Sequence, residues 1–279
     1  MSGNTTSTPV GVRGDPMFRP TRSKSAPGVG VDELRAAWRA LEAGLFTDGA
    51  AATGQVASGA DCSRAGMEGW TPSTGEQVIV VQGSVGSAGA TTIALAIATA
   101  SSEQVRLVEC CPTTVSGLVA ASTAELGEED GWRLGRRDGV RIERQATDEP
   151  RPPTPLATAS DLTVLDLGTS AVAAWPMLPG EPPVLVTRAS VPGLRRLEAL
   201  LDLHPAAVAG LVGPPVKRWP KVLTRTVGVR TIALIDEGRL IDVPFDRALA
   251  VTGLTPDPLS VPLVKAGGRI LAALGKEPS

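Results

Sequence analysis

Residues 78 to 98, V-I-V-V-Q-G-S-V-G-S-A-G-A-T-T-I-A-L-A-I-A, constrain the fold more than any other stretch of the chain. Val78 to Val81 form a β-branched run, which predicts a strand buried in a parallel sheet. Gly83, Gly86 and Gly89 then punctuate a turn, and Thr91 and Thr92 open a run of apolar helix formers from Ile93 to Ala100. Strand, glycine loop and a helix that starts at paired hydroxyls make up the layout of a phosphate-binding loop. In such a loop, backbone N–H groups point at an anion and the helix dipole favours it. Gly83, Gly86, Gly89, Ala90, Thr91 and Thr92 are therefore the candidate contacts to a nucleotide phosphate.

The loop departs from the usual pattern G-x-x-x-x-G-K-[ST]. Gly89-Ala90-Thr91 fills its last three places with alanine for lysine, and Ser84 stands at the first glycine. The metal-binding hydroxyl survives while the phosphate-binding charge is gone. A hydrogen bond to a charged group contributes about 1.5–3 kcal/mol. Its loss weakens triphosphate binding on the order of 10- to 150-fold, and turnover, where charge stabilisation matters most, suffers more.

With 279 residues the chain can form one large domain with appendages or two small ones. A net charge of -2 excludes a global basic field for nucleic acid, and tyrosine is absent. Three cysteines (Cys62, Cys110 and Cys111) have no framework spacing and point to a reducing compartment. The first 30 residues lack the apolar core of a secretory signal. No charged residue lies between Glu76 and Glu103, so hydropathy alone could flag a membrane span there. The glycines and hydroxyls in its middle argue for strand–loop–helix instead, and the expectation is a cytoplasmic protein without a transmembrane segment.

Composition divides the chain into a disordered N-terminus (1–30), an amphipathic helix (31–46), a flexible linker (47–75) and an α/β domain (76–276). In the short helix Leu34, Trp38, Leu41 and Leu45 share a face, which suits docking on the domain or on a protein partner. Within the domain, strands are expected at 77–82, 105–109, 139–143, 161–166, 183–187, 206–212 and 231–235. Helices are expected at 90–101, 113–124, 191–203, 215–226 and 262–274. This alternation predicts a mostly parallel, doubly wound sheet with helices on both faces. The charge-rich 125–138 and the proline-containing 146–160 read as surface loops.

Ligands of open α/β sheets gather at the carboxyl ends of the strands. Glu109, followed by Cys110-Cys111-Pro112, ends one strand, and Asp166, in D-L-T-V-L-D-L-G-T, ends another. Asp166 is well placed to hold a magnesium-bound water opposite Thr91. His204 is the only histidine and reads as a helix-end residue, so the cysteines have no obvious zinc set and read as packing.

Together these segments resemble the ParA/MinD superfamily of deviant P-loop ATPases, and in particular its degenerate TadZ/CpaE-like branch. The likeness covers about residues 76–275, through G-S-V-G-S-A-G-A-T-T, L-V-E-C-C-P, D-L-T-V-L-D-L-G-T, V-L-V-T-R-A-S-V-P-G-L-R-R-L-E and V-P-F-D-R-A-L-A-V-T-G-L-T-P. It implies a P-loop NTPase fold, ATP or ADP with magnesium held by Thr91 and Asp166, and Pro244 and Phe245 near the base. It also implies a homodimer as one assembly. Active members carry a second lysine that reaches across an ATP-bound dimer, and here that position is Val85. Their paired switch aspartates become Glu109 and Cys111. With both charges and the water-positioning group missing, no useful ATPase cycle is expected of the chain alone. The resemblance implies a positioning or scaffold role in DNA partition, conjugal transfer or polar assembly of a secretion or pilus machine.

Further readings compete. Lys217, Arg218, Lys221, Arg225 and Arg230, with Trp219, could contact DNA phosphates without sequence preference. The last helix could lie on a membrane surface, but Gly267-Gly268 favours core packing. A partner could supply the missing charge and activate ATP hydrolysis, or the loop could persist as a tight structural turn that binds nothing. Finally, Gly83-x-x-Gly86-x-x-Gly89 with Glu109 also resembles a Rossmann-type NAD(P)-binding loop, although those dehydrogenases need a catalytic tyrosine and this chain has none.

Overall fold

The β-branched run around Val80 is a central strand buried on both faces, and the domain is layered about it. The computed structural model describes residues 72–147, 160–169 and 182–276. The chain divides into two units, Met1–Gly54 and Gln55–Ser279, and every described residue belongs to the second. The expected disordered segment 1–30, the helix at 31–46 and nearly all of the linker at 47–75 lie outside the described residues.

The strands are β1 (Gln77–Gly83), β2 (Val105–Glu109), β3 (Ala124–Glu129), β4 (Trp132–Arg137), β5 (Val140–Gln145), β6 (Leu162–Asp166), β7 (Val184–Arg188), β8 (Val208–Val212) and β9 (Leu240–Val243). The helices are α1 (Ala90–Ala100), α2 (Val191–Leu203), α3 (Lys221–Thr226), α4 (Val229–Asp236), α5 (Arg247–Thr252) and α6 (Val261–Ala273). All nine strands join one sheet in the order β3-β4-β5-β2-β6-β1-β7-β8-β9. Pairing is parallel from β5 to β9, and β3 and β4 add antiparallel strands at one edge.

Alternation along each strand sends side chains to two cores. Ile79, Val81, Leu107, Val164 and Val186 meet α1 and α6 on one face. On the other face, Leu185 and Ala209 meet Leu197 and Leu201 of α2 and Leu234 of α4. Helix α1 is apolar nearly all round, and Ala94 to Ala98 are at most 1% exposed, so it is a core helix.

Four expectations are corrected. Residues 113–124 form turns and a single 3-10 turn at Leu118–Ala120, because Ser116 Oγ accepts the Leu118 N–H and competes with helical bonding. The expected loop at 125–138 is the β3–β4 hairpin, turned at Asp130 (φ 50°) and Gly131 (φ 79°). The expected strand at 231–235 is α4, whose start is capped by a carboxylate from α2: Glu198 accepts from the Arg230 N–H (2.8 Å), the Thr231 N–H (3.0 Å) and the Thr231 hydroxyl (2.8 Å). These bonds pull the Glu198 pKa below the ordinary carboxylate value despite the opposing push of burial. The expected helix at 215–226 is broken at Pro220, which leaves a 3-10 turn at Val216–Arg218 and the short α3.

Candidate functional site

Strand β1 hands the chain to α1 through a loop fixed at its entry from both sides. The Gly83 N–H donates to Gly168 O (2.6 Å), just past β6. The Ser84 N–H donates to Val186 O of β7 (2.8 Å), and the Ser84 hydroxyl donates to Thr187 Oγ1 (2.7 Å). A Cβ on Gly83 would lie 3.1 Å from Gly168 O, so the close approach there suits glycine. Ser87 holds φ 56° and Gly89 φ 95°. Left-handed residues of this kind collect where a backbone is shaped around a ligand. No side chain caps the start of α1, and its first turn carries no acid. Its leading N–H groups therefore keep their affinity for an anion.

Asp166 lies at the same corner. It is fully buried, and its Oδ1 accepts from the Gly168 N–H (3.0 Å). Its Oδ2 is buried without a hydrogen-bond partner. Burial pushes its pKa above the ordinary carboxylate value, while the neighbouring Thr91 hydroxyl and the Gly168 N–H draw it back. The structure thus brings together Thr91 and Asp166, which the sequence separates by 75 positions. A hydroxyl beside a carboxylate with an unused oxygen is a hard-oxygen set, and these residues fit a hydrated magnesium ion. Among the described residues no cluster of three histidine, cysteine or acidic side chains could hold a metal by itself.

A cleft of about 360 Å³ opens over the loop, within the range of small-molecule sites, roughly 300–1,000 Å³. Gly89, Ala90, Thr91 and Thr92 line one wall, and Pro244 and Phe245 line another. Val85 also reaches it. Gly83 and Asp166 are buried and do not line the cleft, and Gly86 is exposed at the loop. Among the lining residues with no candidate role in the sequence is one cation. Arg188 ends β7, and its Cζ stands 5.1 Å from the centre of the Phe245 ring. Its position at the carboxyl end of a parallel strand was the available signal. A larger hollow of about 810 Å³ borders α6 and β9 and contains none of the glycine-loop residues.

Glu109 does not line the cleft. It is 1% exposed, and its Oε2 accepts from the Gln145 N–H (2.8 Å). No ribose-directed carboxylate is offered there, which removes Glu109 from the support for a Rossmann-type reading and leaves it the glycine spacing alone. Cys110 and Cys111 are buried free thiols. Burial raises both pKa values well above the ordinary thiol value, so both stay protonated. His204 ends α2, as expected, and burial lowers its pKa.

Burial likewise raises Glu109 and Glu143 above their reference of 4.5. Folded pKa values above unfolded ones mean that the native state holds extra protons in the intervening window, so stability falls as pH rises through it. The melting temperature should therefore increase when pH is lowered from about 7.5 toward about 5 at constant ionic strength. Glu109→Gln and Glu143→Gln should each flatten that slope. An unchanged slope in both variants would show that neither group carries it.

Elsewhere, Lys217, Arg218, Lys221 and Arg225 are exposed, whereas Arg230 pairs with Asp202. Trp219 packs beside Leu223 and donates Nε1–H to Pro214 O (3.2 Å), and it is only partly exposed. Helix α6 buries Leu263, Ala266, Gly267, Ile270 and Leu271, and so serves the core. No helix among the described residues is long and apolar enough to cross a membrane.

Neither a protein-family model nor a curated protein matches the sequence. Several solved structures overlay on it. A plasmid partition protein from Borrelia burgdorferi bound to AMPPNP gives a TM-score of 0.47 at 12% identity, covering 71% of this chain and 97% of that one. Apo McdA from Cyanthece gives 0.47 at 14% identity, covering 72% and 100%. The cell division ATPase MinD from Pyrococcus furiosus gives 0.45 at 20% identity, covering 70% and 98%.

Proposed function

We propose that this chain is a ParA/MinD-like protein of the degenerate, TadZ/CpaE-like kind. In this reading it binds ATP or ADP with magnesium at a lysine-less loop and acts as a non-hydrolysing, partner-binding scaffold. The observation that carries the reading is the uncapped, glycine-shaped start of α1, with Thr91 beside Asp166, whose Oδ2 is buried without a hydrogen-bond partner. The loop and helix N–H groups would receive the phosphates, Thr91 and Asp166 would hold the magnesium shell, and Pro244 and Phe245 would border the base. Magnesium would supply the charge neutralisation that Ala90 cannot.

The departures from an active ATPase set the limits of the reading. Ala90 and Val85 provide no cation, and Cys111, a buried protonated thiol, cannot orient water as a carboxylate does. The nucleotide then serves as a structural or switching ligand. The processes such a protein would serve are DNA partition, conjugal transfer and polar placement of a secretion or pilus machine, in the cytoplasm. A protein partner is proposed at the 32–46 segment, with homodimerisation as a further assembly. Nonspecific DNA contact is proposed through Lys217, Arg218, Lys221 and Arg225, which are exposed.

Calorimetry with ATP and with ADP, each with and without magnesium, tests the nucleotide site. Thr91→Ala should abolish the magnesium dependence and weaken binding on the order of 10-fold or more, because a charge-assisted contact is lost. Equal binding by wild type and variant would separate the loop from any magnesium role. A partner-dependent rise in phosphate release would instead establish the activated-ATPase alternative.

A further inference from the structure

Among the described residues, the cleft over the glycine loop is lined by one arginine, Arg188, and no lysine. Its strand is bound to the loop at two points one and two residues before it. Val186 O takes the Ser84 N–H, and Thr187 Oγ1 takes the Ser84 hydroxyl. The backbone of Arg188 is thereby held in register with the loop's entry. At its far end the guanidinium is steadied over Phe245, with Cζ 5.1 Å from the ring centre. No carboxylate pairs with Arg188 among the described residues. Asp246, which also lines the cleft, spends its Oδ1 on the Ala248 and Leu249 N–H groups at the start of α5.

An arginine on an aromatic face beside an anion-binding loop is a preorganised phosphate clamp. The planar guanidinium offers parallel N–H donors that match phosphate oxygens, and stacking removes much of the entropy cost of positioning it. We propose that Arg188 supplies from β7 the phosphate-directed charge that Ala90 lacks, so that nucleoside di- and triphosphates are held between Arg188 and the loop. This rests on the nucleotide reading above. A second observation also points to a ligand at this corner: Asp166 is fully buried, with Oδ2 unpartnered, next to Thr91. The substitution at Ala90 then marks a relocated charge, and the cation approaches the phosphates from the strand side of the cleft.

The test is equilibrium binding of Mg-ATP, Mg-ADP and adenosine to the full chain in four forms: wild type, Arg188→Met, Arg188→Lys and the double variant Ala90→Lys/Arg188→Met. Methionine keeps the apolar stem on Phe245 and removes only the charge. Arg188→Met should lower affinity for both nucleotides roughly 10- to 150-fold while changing adenosine binding little. Arg188→Lys should lie between, and Ala90→Lys should restore nucleotide affinity in the Arg188→Met background. The salt dependence of Mg-ATP binding should become shallower in Arg188→Met and recover in the double variant. If the wild type binds Mg-ATP and Arg188→Met binds it equally well, the arginine proposal is overturned and the nucleotide reading stands. If the wild type binds neither nucleotide at millimolar concentration, both fall.

Discussion

Arg106→Met is expected to remove about 3–5 kcal/mol of folding stability at neutral pH, the usual cost of stranding a buried charge partner. Arg106 is 1% exposed and lies between two buried carboxylates, Glu76 and Glu143, at 3% and 2%. Its Nη2 donates to Glu76 Oε1 (3.2 Å), its Nη1 faces Glu143 Oε2 (3.5 Å), and its Nε donates to the Thr163 hydroxyl (2.8 Å). Thr163 in turn donates to Glu76, and Arg141 donates to Glu143 Oε1 (2.9 Å). The ladder crosses β5, β2 and β6, and its donors and acceptors are matched along the row. Such a network is weak evidence of stability in itself, because desolvation opposes the attraction. Removing one member is different: two carboxylates then stay out of water with less to neutralise them.

Urea unfolding at neutral pH measures the loss, and its pH dependence identifies the cause. Burial already raises Glu143, and Arg106 is the largest influence holding it down. Without the guanidinium its folded pKa climbs further, so the native state takes up a proton more readily. The deficit of Arg106→Met should therefore shrink as pH falls toward the ordinary carboxylate range. Adding Glu76→Gln and Glu143→Gln should recover much of it at neutral pH. A deficit below about 1 kcal/mol, the scale of an exposed pair, would mean that water reaches the ladder.

The glycine loop and its helix were legible because local sequence and tertiary role agree there. Residues 90–101 were expected as the helix that became Ala90–Ala100. Strand β2 and helix α2 were also legible to the residue, with the apolar Val105, Leu107 and Val108 and, at the helix start, Pro192 as signals. The β3–β4 hairpin was written in the sequence but outweighed by its charges. Asp130-Gly131 is a strong hairpin turn signal, and Trp132 and Leu134 alternate after it. Charge was a poor guide because β3 is exposed along its whole length and needs no apolar face. Helix α4 was not legible locally. Thr-Ile-Ala-Leu-Ile suits a strand by composition, and what starts the helix is Glu198, some thirty positions upstream. At the candidate site, Thr91 and Asp166 were legible as neighbours because each begins or ends an element at the strands' carboxyl edge. Arg188 has the same placement, but its contact with Phe245 depends on a segment some fifty-seven positions away and is not written locally.

Gly267→Ala should destabilise the domain by about 1–3 kcal/mol, the scale of overpacking, although propensity predicts the opposite. Alanine within a helix is favoured over glycine by roughly 0.5–1 kcal/mol. The exposed Ala272→Gly on α6 should show that propensity alone as a comparable loss. At Gly267, however, an added Cβ would lie 2.3 Å from Ala96 O and 2.8 Å from the Ile97 N of α1. These are backbone atoms of a buried helix, so no side chain can swing aside to make room. Two helices must move apart, and α1 carries Thr91 at its other end. The melting temperature should fall by roughly 2–4 °C per kcal/mol lost, as for domains of about this size. A Gly267→Ala protein melting above wild type would show that α1 and α6 separate without cost and that their close approach does not set the position of the loop.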